Sequence, residues 1–503
     1  MAVIIFCAKF LGLLREIMIA GVYGQGYASD VLNTSTQIPL LFFDMTLGVA
    51  ILSTFVPVFN MYLERDGRER AIEFSNNFMT IVMSAAALFS AVGIIFAEPI
   101  VRLMVPGWNA AKVAETASLL RMLFPSIIFT SAAYTSVGIL QSFGEFNIPS
   151  VISVVSNLIM ILYLLIVGNR FGLAGVIVSM VIAWASQLLI QIPPLRRYSY
   201  RYRPALNLRD EGIAEAARLA VPVLISSWVQ PLCIVINMAF GSGMGDGAVT
   251  SLNWANKIYI IMVGVFAYAV TNFIFPKLSR MSAGDDNEAF AETTRLSLGW
   301  IILIIAYISA MFIALNKPII KVVFERGAFT ADNTELTSSA LFYYSFGMVG
   351  YAICEVLNKS FYAIHDGKTP MLASVAGVVF NFAAAFVFVR AINLGLGGLA
   401  LASASSSIFI ALILLVMINK RKRGVISRGF VINSLKALAA AAVCCVAARL
   451  VYGFTDSLAG GGFVITLVKL AFSALAALIL YVVLGFALRL DETKQIRRFK
   501  NGK

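Results

Sequence analysis

Histidine is almost missing from this chain: His365 is the only one among 503 residues, and charged residues make up just 13%. A single imidazole excludes most zinc sites and serine-histidine triads, which need further ligands or partners. An ordinary soluble domain is roughly 25% charged, so the shortage of charge excludes a soluble globule. The five cysteines, Cys7, Cys233, Cys354, Cys444 and Cys445, all stand inside apolar runs. There they read as small buried residues and imply neither a disulfide framework nor a metal or redox cofactor.

What is abundant is hydrophobic: 60% of the residues, with a mean hydropathy of +0.87. Apolar runs of spanning length fall at 2–23, 32–60, 77–98, 117–142, 149–169, 172–195, 214–240, 248–276, 296–316, 335–363, 370–391, 394–418, 430–453 and 463–488. Fourteen spans of ~22 residues use roughly 310 residues and leave too little for a second folded domain. The expected fold is an all-α polytopic membrane protein with 14 transmembrane helices. Lys9, Arg15 and Glu16 interrupt the first run, and no convincing small-residue cleavage site follows it, so it reads as a retained span rather than a signal peptide.

The net charge of +13 could suggest nucleic acid, but the surplus lies in short loops between spans, where the positive-inside rule accounts for it. No nucleic-acid partner is expected. Arg65, Arg68 and Arg70, then Arg196, Arg197, Arg201, Arg203 and Arg209, then Lys420 to Arg423 mark inner loops. The connections 24–30 and 241–247 contain neither Lys nor Arg. An even number of spans then puts both termini in the cytoplasm, together with Arg497, Arg498 and Lys500. The loop with Lys317, Lys321 and Arg326 runs against the rule.

Laid on itself with a shift of 219, the chain repeats: Gly24 meets Gly243, Gly26 meets Gly245, Pro57 meets Pro276, and Pro99-Ile100 meets Pro318-Ile319. Six spans per repeat is an even number, so the two lobes should be parallel, related by an axis along the membrane normal. The expected division is 1–211 (first lobe), 212–419 (second lobe) and 420–503 (two extra helices and a cytoplasmic tail). Two such lobes point to a transporter working by alternating access.

Lys9 and Arg15 lie about 12 and 21 Å into the first span if the helix starts near Met1. At that depth an ionisable residue costs about 3 kcal/mol and normally faces a wet cavity or a partner. The alternative is that Lys9 snorkels to the surface and Arg15 pairs with Glu16. Lys257, in the eighth run, is either a further lumen cation or an interfacial snorkeler. Asp44, mid-span in the second run, either neutralises a cation or carries a coupling ion. Glu355 and Lys359 have the i,i+4 order of a structural ion pair. A lumen richer in cations than anions, walled by apolar helices, suits a lipid-linked phosphate or diphosphate. Enzyme signals are weak: Asp285-Asp286 reads as solvated linker, and Gly24-Gln25-Gly26 lacks the strand a dinucleotide fingerprint needs.

Several stretches resemble the MurJ (MviN) family of lipid II flippases, in the multidrug/oligosaccharidyl-lipid/polysaccharide exporter superfamily. Lys9-Phe10-Leu11-Gly12-Leu13-Leu14-Arg15-Glu16 is similar to its R-x-L-G-x-x-R-[DE], and Ala28-Ser29-Asp30 to its A-[TS]-D. Phe324 to Thr330 is similar to F-x-[RY]-G-x-F-[TD], and Phe361-Tyr362-Ala363 with Asp366-Gly367-Lys368-Thr369-Pro370 to F-Y-A-x-x-D-x-K-T-P. The resemblance covers essentially the whole chain. It implies two MATE-like six-helix lobes plus two C-terminal helices in the bacterial inner membrane, moving lipid II for peptidoglycan synthesis. Coupling would be to the membrane potential, Na+ or H+, and the partners membrane lipids and the cell-wall synthesis machinery. The implied substrate-binding residues are Lys9, Arg15 and Lys257, with Glu16, Asp30 and Asp44 gating or pairing charges. The family's basic residue in the second span is missing, since Phe42-Phe43-Asp44 stands there. That departure leaves another polyprenyl-linked oligosaccharide as a substrate. A cation-coupled multidrug antiporter would favour acids over the bases found here, and a non-transporting scaffold is the remaining rival.

Overall fold

The computed structural model describes residues 2–48, 51–284, 286–458, 460 and 462–492. Val49, Ala50 and Asp285 lie outside them, as do Arg497, Arg498 and Lys500 of the expected cytoplasmic tail. Every regular element among the described residues is helical. Among the described residues, nine helices are long and apolar enough to cross a membrane, and up to eleven spans result if two bent pairs each count as one. The shortfall from fourteen has identifiable causes. Each 18-residue window of the first helix, Ala2–Tyr23, holds Lys9, Arg15 and Glu16. The second run is broken by wide π-turns at Asp44–Gly48 and Ile51–Phe55, and the seventh is split into Glu211–Ser227 and Val229–Gly241.

π-turns leave main-chain carbonyls without their usual i→i+4 partner. At Met45 the side chain of Trp228 supplies the donor, its indole N–H reaching the Met45 carbonyl at 2.6 Å.

The internal repeat is written into the helices. The shift of 219 carries the end of Gly67–Ile95 onto the end of Asn287–Ala314, and the start of the short helix Ala97–Met104 onto that of Asn316–Phe324. Next in each half comes a helix broken near its middle: Ala110–Leu123 with Ser126–Ser142 bends by 42°, and Ala331–Ser345 with Met348–Ala363 by 50°.

The chain forms two compact units, 1–250 with 326–330, and 251–325 with 331–503. The first unit shows an extension past 211/212, where the lobe boundary is expected, to residue 250. Its cause is packing: Glu211–Ser227 lies against the two π-turns and the helices Val56–Arg65 and Gly67–Ile95, all in the first unit. Of the two extra helices, Arg428–Leu458 packs along Asn287–Ala314 and Phe463–Ala487 in the second unit. Aromatic rings dominate the first unit's core, where Phe55 stacks on Phe59 and Phe74 at centroid distances of 5.4 and 5.8 Å.

Two cations of the loop that contradicts the positive-inside rule have local acids: Lys317 pairs with Glu335, and Lys321 lies 3.8 Å from Glu325. The Glu355–Lys359 ion pair expected from spacing does not form. Lys359 sits over the Phe275 ring, 5.7 Å from its centroid, a cation-π contact, while its charge still acts on Glu355 from beyond ion-pair distance.

The segment Arg326–Thr330 belongs to the first unit although its flanks belong to the second. The Ala328 N–H donates to the Gly21 carbonyl at 2.8 Å, and Gly327, at φ +57°, lies so close that a Cβ would stand 2.2 Å from the Gly21 oxygen. The glycine of the F-E-R-G-A-F stretch is thus fixed both by backbone hand and by contact. The D-G-K-T-P stretch has a comparable explanation. Asp366 caps the helix Lys368–Phe386, accepting from the Thr369 N–H at 3.0 Å and the Thr369 hydroxyl at 2.7 Å. Burial alone would disfavour its charged form, but these hydrogen bonds and Arg421 outweigh it and hold the carboxyl below its ordinary value.

Gly327→Ala is expected to cost about 1–3 kcal/mol from backbone strain alone, before the clash is counted, read as a lower melting temperature in detergent. A depressed carboxylate stabilises the fold above its unfolded value near ~4 and loses that contribution as pH falls through the folded value. Asp366→Asn should therefore melt below the parent at pH 7, and the gap should narrow below about pH 4.

Candidate functional site

Charge inside an apolar helix bundle needs a partner, and the first unit solves this in two different ways. Asp30 opens the helix Tyr27–Phe43 and is fully buried. Its Oδ2 accepts from Lys112 Nζ and from the Gly247 N–H, both at 2.8 Å, while its Oδ1 accepts from the Thr250 N–H at 3.0 Å and the Thr250 hydroxyl at 2.7 Å. Negative charge at Gly247 and Thr250 also meets the positive end of the helix beginning at Ala248. Lys112 is 2% exposed, reaches Asp246 at 2.6 Å, and lies 4.2 Å from the centre of a Trp108 ring. With its lone pairs filled by four donors, Asp30 forms a dry clamp with no capacity left for a ligand. Lys112 and Asp246 did not emerge from the sequence. The available signal was that Lys112 is a lone cation beside an apolar run.

Arg15 is held more loosely. Its Nη2 lies 2.8 Å from Glu16 Oε1, so the local pair weighed against a cavity role is present, and its Nη1 donates to Asn157 Oδ1 at 3.1 Å. Asn157 is itself oriented, its amide donating to the Ser153 carbonyl at 2.8 Å and the Ala8 carbonyl at 3.4 Å. This turns its oxygen toward the guanidinium. Arg15 Nε finds no protein acceptor, and the side chain keeps 27% of its surface exposed. Asn157 is a third residue that did not emerge from the sequence, although an amide inside the apolar run 149–169 asks for a partner in the same way as a charge does.

The other candidates are placed as follows. Lys9 is half-buried on the same helix as Arg15, and Glu16 is buried. Lys257 belongs to the second unit, half-buried on the helix Ala248–Ala283 between the buried Trp254 and Tyr259. Asp44 is exposed at the first position of a π-turn and makes no ion pair among the described residues.

Lys112→Ala should leave Asp30 as an uncompensated buried carboxylate and destabilise the protein by about 3–5 kcal/mol. The double change with Asp30→Asn should cost less than Lys112→Ala alone. Thermal melting of the four proteins tests the clamp, and equal melting of Lys112→Ala and the parent would remove it.

The family model described as lipid II flippase MurJ matches residues 19–473 of the chain. A lipid II flippase MurJ of Burkholderia cenocepacia is 25% identical over 396 residues, 76% of this chain and 76% of that one. A protein of Buchnera aphidicola subsp. Baizongia pistaciae named "probable lipid II flippase MurJ" is 25% identical over 399 residues, covering 78% and 77%. Among solved structures, a lipid II flippase MurJ in an inward closed conformation matches with a TM-score of 0.79 at 21% identity, over 97% of this chain and 99% of that one. An inward-facing multidrug resistance MATE family transporter of the MOP superfamily matches with 0.69 at 15% identity, over 83% and 95%. The two structures establish a fold shared by MurJ and MATE transporters, and the family model adds the membership: the chain belongs to the MurJ family of lipid II flippases.

Proposed function

We propose that this chain translocates lipid II, undecaprenyl diphosphate bearing the peptidoglycan disaccharide-pentapeptide, from the inner to the outer leaflet of the bacterial inner membrane by alternating access. It acts as a transporter, and no covalent bond is made or broken. Both termini lie in the cytoplasm in this reading. The observation that carries it is Arg15: a guanidinium on the first helix, oriented by Asn157 and Glu16, whose side chain keeps 27% of its surface exposed. A diphosphate oxygen is the kind of acceptor that such a donor fits. Lys9 and Lys257 add positive charge for the same group, while Glu16 and Asp30 position cations. Asp44, an exposed carboxylate without an ion pair among the described residues, is the candidate through which Na+, H+ or the membrane potential couples to movement.

A second reading keeps the mechanism and changes the cargo to another polyprenyl-linked oligosaccharide. It is favoured by Phe42-Phe43-Asp44 at the stretch where the family usually carries a cation. Depleting the protein and identifying the lipid-linked precursor that accumulates on the inner leaflet separates the two.

Arg15→Ala is expected to abolish complementation at normal membrane levels. Asn157→Asp, which sets a second carboxylate against the guanidinium, should weaken binding of undecaprenyl diphosphate by about tenfold or more, while Asn157→Ala costs less. Full complementation by well-expressed Arg15→Ala would overturn the assignment, as would equal movement of labelled lipid II and a neutral polyprenyl glycolipid in liposomes.

A further inference from the structure

The helix Gly67–Ile95 holds a length of chain that has no secondary structure of its own. Residues 200–207 form no helix, and three of their main-chain N–H groups donate to side chains of that helix: Arg203 to Asn76 Oδ1 at 3.3 Å, Ala205 to Thr80 Oγ1 at 3.2 Å and Asn207 to Asn77 Oδ1 at 2.8 Å. The Asn77 amide returns a hydrogen bond to the Asn207 carbonyl at 2.8 Å. The Tyr200 hydroxyl donates to Asn76 Oδ1 at 3.0 Å, and the Tyr202 hydroxyl lies 3.0 Å from Thr80 Oγ1. At the two ends Arg68 donates to the Tyr198 carbonyl, and Arg70 pairs with Asp210 at 2.8 Å. Polar side chains of a helix thus do for this segment what a neighbouring strand does in a sheet.

The three N–H donors are alternate residues, as on one edge of an extended strand, where successive residues turn their N–H and C=O groups to opposite sides. The other edge belongs to Tyr202, Pro204 and Leu206, all of them exposed. Among the described residues, the N–H groups of Tyr202 and Leu206 and the carbonyls of all three make no hydrogen bond. Such an edge is a template for pairing with another chain.

The edge also has a chemical sign. Arg201, Arg203 and Arg209 are exposed, Leu206 and Leu208 are 68% and 70% exposed, and no acidic residue stands between Tyr198 and Arg209. Charge rules out two occupants from the chain itself. A second copy of the segment sets arginine against arginine, and the C-terminal stretch 493–503 holds five Lys or Arg and no acid. Hydrocarbon does not suit the edge either, because it offers no partner to N–H and C=O groups.

We propose that this edge binds an extended acidic segment of a partner protein by strand addition, with main-chain hydrogen bonds at Tyr202, Pro204 and Leu206. Carboxylates of the partner meet Arg201 and Arg203, and its apolar side chains lie beside Leu206 and Leu208. The surface shares no residue with the transport site, and in the topology proposed above it faces the cytoplasm.

The purified full chain, in detergent and in phosphatidylcholine nanodiscs, is titrated with a fluorescent peptide of alternating Glu and Val, and binding is read as anisotropy. The Glu-Val peptide is expected to bind about tenfold or more tightly than a Lys-Val counterpart or its own fully N-methylated form, equally in both media. Leu206→Pro removes an outward N–H and leaves the three inward ones, so it should weaken binding about fivefold or more, with Leu206→Ala closer to the parent. Arg201→Gln combined with Arg203→Gln should have a similar effect, while Lys420→Gln with Arg423→Gln leaves binding unchanged. Parental melting temperatures establish that the variants are folded. Equal affinity for the N-methylated peptide overturns the proposal, as does equal loss from the Lys420 and Arg423 pair, which assigns binding to total charge. Binding that disappears in nanodiscs assigns the segment to the bilayer and overturns it too. The assay does not read lipid II movement, so its outcome is independent of the transport reading.

Discussion

The constraint on which this protein depends is that an ion withdrawn from water must be met by opposite charge and hydrogen bonds, or be left where water and ligands can reach it. Asp30 and Lys112 take the first course. Both are essentially inaccessible, and the carboxylate is met by four donors, two of them main-chain N–H groups. The clamp ties the start of the second helix to the turn before Ala248, so a single buried carboxylate organises chain segments more than 200 residues apart.

Arg15 is less enclosed, and the contrast separates the two cations more clearly than residue type does. Lys112 retains 3% of its side-chain surface, whereas Arg15 retains 27%. Hydropathy and composition treat the two cations alike. Their surroundings differ because one is enclosed by protein groups and the other, oriented by Asn157 and Glu16, stays partly exposed.

The repeat explains both what the two halves share and where they part. Matched helix ends and matched mid-helix bends follow the same shift as the matched prolines, so the duplicated pattern of breaks has kept its register. The second helix is the main departure. In the first half it passes through two π-turns, while its counterpart Ala248–Ala283 is one 36-residue helix. The irregular copy also carries Asp44, and it draws Glu211–Ser227 into the first unit.

The sequence by itself determined the class of molecule, the positions of the apolar runs, the twofold repeat, the family, and the helix that carries Arg15. These follow from composition and local periodicity, which depend on neighbouring residues. The glycine of F-E-R-G-A-F and the aspartate of D-G-K-T-P were legible as motifs, but their reasons were not: a close approach to Gly21 in one case and a helix cap in the other. Only the tertiary structure decided which partner each charge takes. Lys112 meets Asp30 across 82 positions and Arg15 meets Asn157 across 142, while the adjacent-turn pair Glu355 and Lys359, favoured by spacing, gives way to a ring from another helix. Low dielectric makes every such choice energetically large, and the choice depends on which helices lie side by side, a property that no local pattern in the chain encodes.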